Sequence, residues 1–141
     1  MKERISRDEL YVGVIELLAK RSSCEKTQVG AILVKDNRII SMGYNGAPSG
    51  VQHCTQGGCI IENGHCIGTI HAEANVIAWA ARNGISTEGT VLYTTHQPCL
   101  DCSKLLINAG IKEVYFIEPY TDLRGYELLK AVEIYSFVLG R

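Results

Sequence analysis

The second half of the chain alternates strand-like and helix-like segments, and this alternation restricts the possible folds more than any other feature. The β-rich run "GTVLYTT" is followed by the helical pattern "CLDCSKLLINAG", the run "IKEVYFIE", the helical pattern "RGYELLKA" and the run "VEIYSFVL". Strands joined through a helix pair in parallel by right-handed crossovers. The segment therefore predicts two βαβ units.

The first half adds a helix, a hairpin and a second helix. A capping-box pattern opens a helix predicted over 6–22. The runs "QVGAILV" and "RIISMGY" flank the turn-forming triplet "KDN" and predict a hairpin. A further helical pattern covers 71–83. The order predicts an α/β fold: a three-layer α/β/α sandwich with a mixed five-stranded sheet and helices on both faces.

Length and composition fit one ordinary globular domain. The 141 residues predict a single domain over 1–141, with 46% hydrophobic and 21% charged residues. A formal net charge of −1 gives no general attraction to nucleic acid or membranes. The start "MKERISRDEL" lacks an apolar signal region, and no 18 consecutive apolar residues occur. We expect a soluble, cytoplasmic protein.

The six cysteines predict metal binding rather than a disulfide framework. A cytosolic chain with an adequate core does not need several disulfides. A C-x-x-C pair by itself is a weak signal, because redox dithiols and structural zinc sites share it. Other residues of the sequence are needed to decide between a redox dithiol and a zinc site.

The segments "TIHAEANVIAWAARNG" and "THQPCLDC" provide that discrimination. His71 and Glu73 open one predicted helix, while Cys99 and Cys102 open the next. Helix N-termini lower thiol pKa and favour the thiolates that bind metal. One histidine and two cysteines leave a fourth zinc position for water, as in catalytic sites, and Glu73 is then placed for general acid–base catalysis. A redox dithiol explains neither His71 nor Glu73.

This H-x-E plus P-C-x-x-C pattern resembles the zinc-dependent cytidine/deoxycytidylate deaminase superfamily. The segments "QVGAILVKDNRIISMGYNGAPSG", "HAEANVIAWAARNG" and "LLINAGIKEVYF" are similar to its deoxycytidylate (dCMP) deaminase branch, within residues 5–120. The resemblance implies a cytidine deaminase-like fold, hydrolysis of dCMP to dUMP and ammonia in support of thymidylate synthesis, and a homohexamer.

The resemblance also implies roles for individual residues. The family's zinc ligands and proton shuttle correspond to His71, Cys99, Cys102 and Glu73. Asn45 in "GYNG" and Tyr120 correspond to substrate contacts, and Arg82 to a phosphate-site arginine. Arg82 lies about 16 Å beyond His71 along the same predicted helix. We therefore expect Arg82 to act at a neighbouring subunit's site.

The loop "HCTQGGCIIENGHC" predicts a second metal site. Together with Cys24 it supplies enough thiols for a closed tetrahedral structural zinc, and metal binding would order the loop. The predicted ligands are Cys24, Cys54, Cys59 and Cys66, with His53 and His65 as alternatives. The resemblance permits this second zinc without requiring it, since members of the branch differ in having it.

Allosteric control is a further expectation from the resemblance. Many members of the branch are activated by dCTP and inhibited by dTTP, assisted by Mg²⁺. This chain has Lys26 and Gly68 at two positions where arginine is common, and lysine does not replace a bidentate arginine. Retained and lost triphosphate control are therefore alternative expectations.

Two other functional classes compete with dCMP deamination. One is another zinc nucleobase deaminase, acting on a free base or on transfer-RNA adenosine; the charge balance offers no RNA-binding stripe in its support. The other is a non-catalytic, zinc-organised binding module, which gives Glu73 no reason to stand beside a three-ligand zinc.

Overall fold

One five-stranded sheet organises the fold. The computed structural model describes residues 2–57 and 59–140. Its helices and strands are, in chain order, α1 (Arg7–Ala19), β1 (Gly30–Lys35), β2 (Arg38–Tyr44), a 3₁₀ helix (Cys54–Gln56), β3 (Ile61–Glu62), β4 (His65–Cys66), α2 (Ala72–Arg82), β5 (Val91–His96), α3 (Leu100–Asn108), β6 (Glu113–Glu118), α4 (Arg124–Ala131) and β7 (Tyr135–Val138). The sheet order is β2-β1-β5-β6-β7. β1 is antiparallel to β2 and β5, whereas β5, β6 and β7 are parallel, so the predicted mixed sheet is confirmed.

Alternating residues of the strands build a core on each face of the sheet. In β1, Ala31 and Leu33 pack with α2, α3 and α4, while Ile32 and Val34 pack with α1. All four side chains are at most 6% exposed. Helices therefore cover both faces, and the predicted three-layer α/β/α arrangement is confirmed.

The first hairpin has the turn that its sequence requires. Asp36 and Asn37 connect β1 to β2 with φ angles of 50° and 63°. Two consecutive residues with positive φ form the type I′ turn that matches strand twist, and Asp and Asn tolerate that conformation. The predicted hairpin is confirmed.

The long connection over 45–69 contains structure that the sequence analysis did not predict. Asn63 and Gly64, with φ of 50° and 77°, form the turn of a small hairpin between β3 and β4. Asn-Gly is a strong hairpin signal, but each strand here has two residues, below the length at which alternation is visible. The first helix is also shorter than predicted and ends at Ala19.

The carboxyl ends of β5 and β6 lie side by side and open towards the starts of α2 and α3. The amide of Gln97, just after β5, donates to the carbonyl of Glu118 at 2.9 Å and extends this pairing. None of the described helices is long and apolar enough to cross a membrane.

Candidate metal centre and substrate cavity

His71 and Glu73 lie at the start of α2. His71 is the N-cap residue, in extended conformation, and Glu73 belongs to the first turn. Immediately before them, Ile70 and Gly46 exchange two backbone hydrogen bonds, of 3.2 and 2.8 Å. The chain therefore enters the helix from a fixed position beside the loop that follows β2.

Cys99 and Cys102 open α3. Cys99 is its N-cap residue, and its sulfur accepts a hydrogen bond from the amide of Cys102 at 3.5 Å. The Cys102 side chain is 5% exposed, since it points into the protein beneath the first turn. This backbone donation is the local reason why a thiolate is favoured at a helix start.

Side chains from these two helix starts converge into a three-ligand cluster of His71, Cys99 and Cys102. The Nδ1 atom of His71 lies 3.6 Å from Cys99 Sγ and 3.3 Å from Cys102 Sγ. Ligand atoms on one tetrahedral zinc ion stand roughly 3.5 to 3.8 Å apart, given the usual Zn–S and Zn–N bond lengths. The donor set and the spacing therefore fit zinc, with one coordination position left for water or substrate.

The electrostatics of the cluster favour one thiolate. Hydrogen bonds from Cys102 and then from His71 lower the pKa of Cys99 to about 4. The same pairing with Cys99, together with burial, raises the pKa of Cys102. The hydrogen bond to Cys99 also raises the pKa of His71. One thiol is thus ready to bind a cation, and a divalent metal would deprotonate the second.

Glu73 is a buried carboxyl group beside this cluster. It is 4% exposed, and its Oε1 accepts a hydrogen bond from the Thr94 hydroxyl at 3.3 Å. Burial raises its pKa above that of an ordinary glutamate. A raised pKa moves a carboxyl group towards the range in which a side chain serves as a general acid and base.

A cavity of about 420 Å³ opens onto the cluster and onto Glu73. This volume is within the range of small-molecule sites. His71, Glu73 and Cys99 contribute to its wall, and so do Cys24, Lys26 and Cys66 from the cysteine-rich part of the chain. Among the described residues that line it, Lys26 is the one lysine or arginine.

Two of the three predicted substrate contacts line this cavity. Asn45 is 6% exposed; its Oδ1 accepts from the Val29 amide at 2.8 Å and its Nδ2 donates to the Thr27 carbonyl at 2.7 Å. Its side chain therefore also holds the segment that leads into β1. Tyr120 lines the cavity as well, whereas Arg82, the last residue of α2, is exposed and lies outside the lining.

The cysteines of the second predicted site also come together, as a four-cysteine cluster of Cys24, Cys54, Cys59 and Cys66. The sulfurs of Cys24, Cys54 and Cys66 all lie within 4.8 Å of one another. Cys66 Sγ stands 3.5 Å from Cys54 Sγ and 3.3 Å from Cys59 Sγ. No disulfide joins them. His53 and His65 are exposed and, within the described part of the chain, stand outside this group of sulfurs.

The four-cysteine cluster contacts the β3–β4 hairpin through Cys66, which lies in β4. Lys26 donates from its amine to the Gly64 carbonyl in the hairpin turn. Burial raises the pKa of Cys54 to about 12, whereas for Cys66 hydrogen bonds from Cys59 and from the backbone outweigh burial and lower the pKa to about 6. The cluster thus joins the hairpin to the wall of the cavity.

Two residues of this site, Thr94 and Gln97, have no recognisable signal in the sequence. Thr94 looks like an ordinary strand residue, and its contact with Glu73 depends on how α2 packs on β5. Gln97 lies in the segment "THQPCLDC", but a glutamine does not by itself indicate a functional role. In the structure Gln97 is 7% exposed and lines the cavity.

Comparison with known proteins supports the chemistry of this site. The family described as "Cytidine and deoxycytidylate deaminase zinc-binding region" matches residues 5–118. The chain belongs to this family. The resemblance predicted from the sequence is thereby confirmed, and zinc binding is the family's described property.

Individual members of this deaminase family resemble the chain over most of its length. ComE operon protein 2 of Bacillus subtilis is 46% identical over 118 residues, which cover 84% of this chain and 62% of that protein. Deoxycytidylate deaminase of Schizosaccharomyces pombe is 38% identical over 140 residues, with 93% and 43% covered. The chain thus spans less than two thirds of these relatives. The dCMP deaminase of cyanophage S-TIM5, solved in complex with dCMP and dUMP, matches with a TM-score of 0.86 and 34% identity over 98% of this chain and 100% of that one.

Proposed function

We propose that the chain catalyses hydrolytic deamination of dCMP to dUMP and ammonia. The observation that carries this proposal is the buried carboxyl group of Glu73 beside the three-ligand cluster, in the wall of one cavity. The names of the fission-yeast relative and of the cyanophage structure support dCMP as the substrate.

His71, Cys99 and Cys102 would hold the catalytic zinc. A zinc ion in such a site acidifies a bound water and so supplies a nucleophile near neutral pH. The support for this assignment is the spacing of the three ligand atoms and the low pKa of the Cys99 thiol.

Glu73 moves the protons of the reaction. Its carboxylate takes a proton from the attacking water and delivers it to ring atom N3, and a second proton passes to the exocyclic amine, which leaves C4 as ammonia. The hydroxyl of Thr94 orients the carboxyl group by donating to Oε1. One water is consumed and one ammonia is released.

The phosphate of the nucleotide would contact residues from two subunits. Within one subunit, Lys26 is the one lysine or arginine among the described residues that line the cavity. Its amine would therefore contact the phosphate. Arg82 stands outside this wall, at the far end of α2, which supports its action at a neighbouring subunit's site in a homo-oligomer, with a hexamer as the expected assembly. Asn45 and Tyr120 would contact the rest of the nucleotide.

The four-cysteine cluster would hold a second, structural zinc. The sulfurs of Cys24, Cys54 and Cys66 lie within 4.8 Å of one another, and Cys59 Sγ lies 3.3 Å from Cys66 Sγ. Four thiolates on one zinc ion would form a closed donor set, which leaves no position for substrate. Metal analysis of purified protein should return two zinc ions per chain, and one zinc per chain would contradict this assignment. His53→Ala and His65→Ala should retain both ions.

Regulation and context complete the proposal. If triphosphate control is retained, dCTP is the proposed activator and dTTP the proposed inhibitor, with Mg²⁺; loss of this control, given Lys26 and Gly68, is the alternative, and the dCTP series of the assay below decides between them. The reaction would supply dUMP for thymidylate synthesis. A reducing cytoplasm would keep all six cysteines available as metal ligands.

The decisive test is ultraviolet-monitored deamination of dCMP, CMP and deoxycytidine, with and without dCTP and Mg²⁺. We expect turnover selective for dCMP, and a loss of about 100- to 10,000-fold in Glu73→Gln with its zinc retained. If zinc-replete wild-type protein deaminates none of the three, the purine and RNA substrates of related deaminases become the alternative. Full activity of Glu73→Gln would contradict the role of Glu73.

A further inference from the structure

The chain contains three Asn-Gly pairs, and the structure places them in three different settings. They are Asn45-Gly46, Asn63-Gly64 and Asn83-Gly84. Asparagine is a thermolabile residue, because its side-chain amide carbon can be attacked by the backbone nitrogen of the next residue. Glycine in that next position leaves the attack unhindered, since it has no Cβ. The hydrogen bonds around each pair therefore decide whether it can react.

The pair Asn45-Gly46 is held by three hydrogen bonds in a buried position. Both ends of the Asn45 amide are bonded, its Oδ1 to the Val29 amide and its Nδ2 to the Thr27 carbonyl. The N–H of Gly46 donates to the Ile70 carbonyl at 3.2 Å. Attack by the Gly46 nitrogen would break these bonds without water to replace them. We therefore expect Asn45 to remain intact.

The pair Asn83-Gly84 is exposed but partly held. Asn83 Nδ2 donates to the Trp79 carbonyl at 2.9 Å, and the N–H of Gly84 donates to the Ala81 carbonyl at 3.4 Å. Both bonds belong to the end of α2, so the last turn of the helix must fray before Asn83 can react. We expect intermediate reactivity here.

The pair Asn63-Gly64 has none of these restraints. Both residues are exposed and form the turn of the β3–β4 hairpin, with positive φ angles. Within the described part of the chain, neither the Asn63 side chain nor the Gly64 N–H has a hydrogen-bond partner. A hairpin with two-residue strands is at best marginally stable, so its turn can open to the geometry that ring closure requires.

We propose that Asn63 is a site of spontaneous deamidation, which turns the tip of the β3–β4 hairpin from neutral to anionic. The Gly64 nitrogen loses its proton and bonds to the side-chain amide carbon of Asn63, which releases ammonia and leaves a cyclic imide. Water then opens the imide at either carbonyl group and gives aspartate or isoaspartate at position 63. One water is consumed and one ammonia is released, and no oxidant or reductant is needed.

The modification changes the surroundings of Lys26. The Lys26 amine donates to the Gly64 carbonyl, and it lies 4.0 Å from the position that a Cβ on Gly64 would take. Lys26 also lines the cavity in which we propose that the nucleotide binds, so this consequence rests on the proposed function. A carboxylate in the turn competes with the phosphate for the amine. The modified protein should therefore bind dCMP less well.

The modification itself is tested by peptide mass after ageing metal-replete protein at mildly alkaline pH, which favours loss of the Gly64 proton. A protease that cleaves after glutamate places the three asparagines in separate peptides, over 26–62, 63–73 and 74–88. We expect peptide 63–73 to gain about 1 Da first, 74–88 to follow later, and 26–62 to stay unchanged at Asn45.

Asn63→Gly is the blocking variant, because glycine suits the positive φ of the turn and has no amide to lose. Peptide 63–73 of this variant should keep its mass. A wild-type peptide 63–73 that stays unchanged, or that changes after 74–88, would overturn the proposal.

The consequence is tested by the kinetics of Asn63→Asp, which supplies the charge without lengthening the backbone. Asn83→Asp is the matched control, at an exposed Asn-Gly pair outside the cavity lining. We expect kcat/KM for dCMP to fall about two- to five-fold in Asn63→Asp, as for weakening of an exposed ion pair, and less for deoxycytidine. Asn83→Asp and Asn63→Gly should match wild type.

No loss in Asn63→Asp, or equal losses for dCMP and deoxycytidine, would contradict competition at Lys26. Inactivity of the wild type would contradict the proposed function alone, because the mass change is measured without any activity.

Discussion

The three-ligand cluster and the four-cysteine cluster use similar donor atoms on very different scaffolds. The three ligands come from the first turns of α2 and α3, which pack on a five-stranded sheet. The four cysteines come from the segment before β1, from a 3₁₀ helix, from the residues that precede β3, and from β4 of the small hairpin. Neighbouring ligand atoms are about equally close in both, at 3.3 to 3.6 Å. Short distances between ligand atoms therefore do not show whether a site is preformed or needs its metal in order to form; the scaffold that carries the ligands decides this.

The scaffolds predict which site needs its metal in order to fold. A two-stranded hairpin is at best marginally stable in water, and each strand here has two residues. Helices that bury one face against a sheet are stable without help from a metal. We therefore expect a metal-independent scaffold around His71 and a metal-dependent one around Cys66.

The largest expected effect is that of Cys102→Ala. Loss of a ligand from the three-ligand cluster should reduce dCMP turnover by more than about 1,000-fold. The melting temperature should stay within a few degrees of wild type, because α3 keeps its packing. Deamination assays and thermal melting check this together. Loss of a cooperative melting transition would contradict the comparison, because the scaffolds of both clusters would then depend on metal for folding.

Gly125→Ala should have the next largest effect. A Cβ atom there would stand 2.6 Å from Ser103 Oγ and 2.9 Å from the Cys99 carbonyl oxygen, so α4 would push against the start of α3. Overpacking of this kind costs about 1–3 kcal/mol. We expect lower stability and about 10-fold lower turnover by denaturant titration and assay. The control is Gly13→Ala, at an exposed position of α1 where an added Cβ has open space; equal effects would rule out the proposed contact.

Cys54→Ala should have a smaller and more selective effect. With one ligand missing, the β3–β4 hairpin should loosen and release Lys26 from the Gly64 carbonyl. We expect kcat/KM to fall about 10-fold or less for dCMP, and less again for deoxycytidine, because the phosphate contact is weakened. Steady-state kinetics with both substrates measure this. Equal losses would show that the hairpin supports the whole cavity rather than its phosphate end.

Mild chelation should have the smallest effect on the fold as a whole. Amide hydrogens of the β3–β4 hairpin, over 61–66, should exchange at least several-fold faster once the metal is removed, because the hairpin then opens locally. Amides of α2 and α3 should keep their protection. Hydrogen–deuterium exchange detects both regions in one experiment, and faster exchange in α2 would contradict the preformed scaffold.

The sequence predicted what depends on local chemistry. His71, Cys99 and Cys102 are ligand types at helix starts, and capping and periodicity are visible within a few residues, so both the helices and the ligand set were predictable. The mixed sheet followed from the βαβ alternation. The meeting of Cys24 with Cys54 and Cys66 was predicted from ligand count alone.

The features that the sequence did not predict depend on tertiary packing. Gln97 is held in the cavity wall because the chain after β6 returns and the backbone amide of Tyr120 donates to its side-chain oxygen. Asn45 was predicted as a substrate contact, but its hydrogen bonds to Thr27 and Val29 have no local sequence signature. The β3–β4 hairpin was missed because its strands are too short to show alternation.

The shared wall of the cavity couples two binding equilibria. Cys24 and Cys66 belong both to the four-cysteine cluster and to the lining of the cavity in which we propose that the nucleotide binds. If metal on these sulfurs strengthens nucleotide binding by some factor, thermodynamic linkage requires bound nucleotide to strengthen metal binding by the same factor. A cell short of zinc would then retain the metal best in those molecules that are occupied by substrate or product.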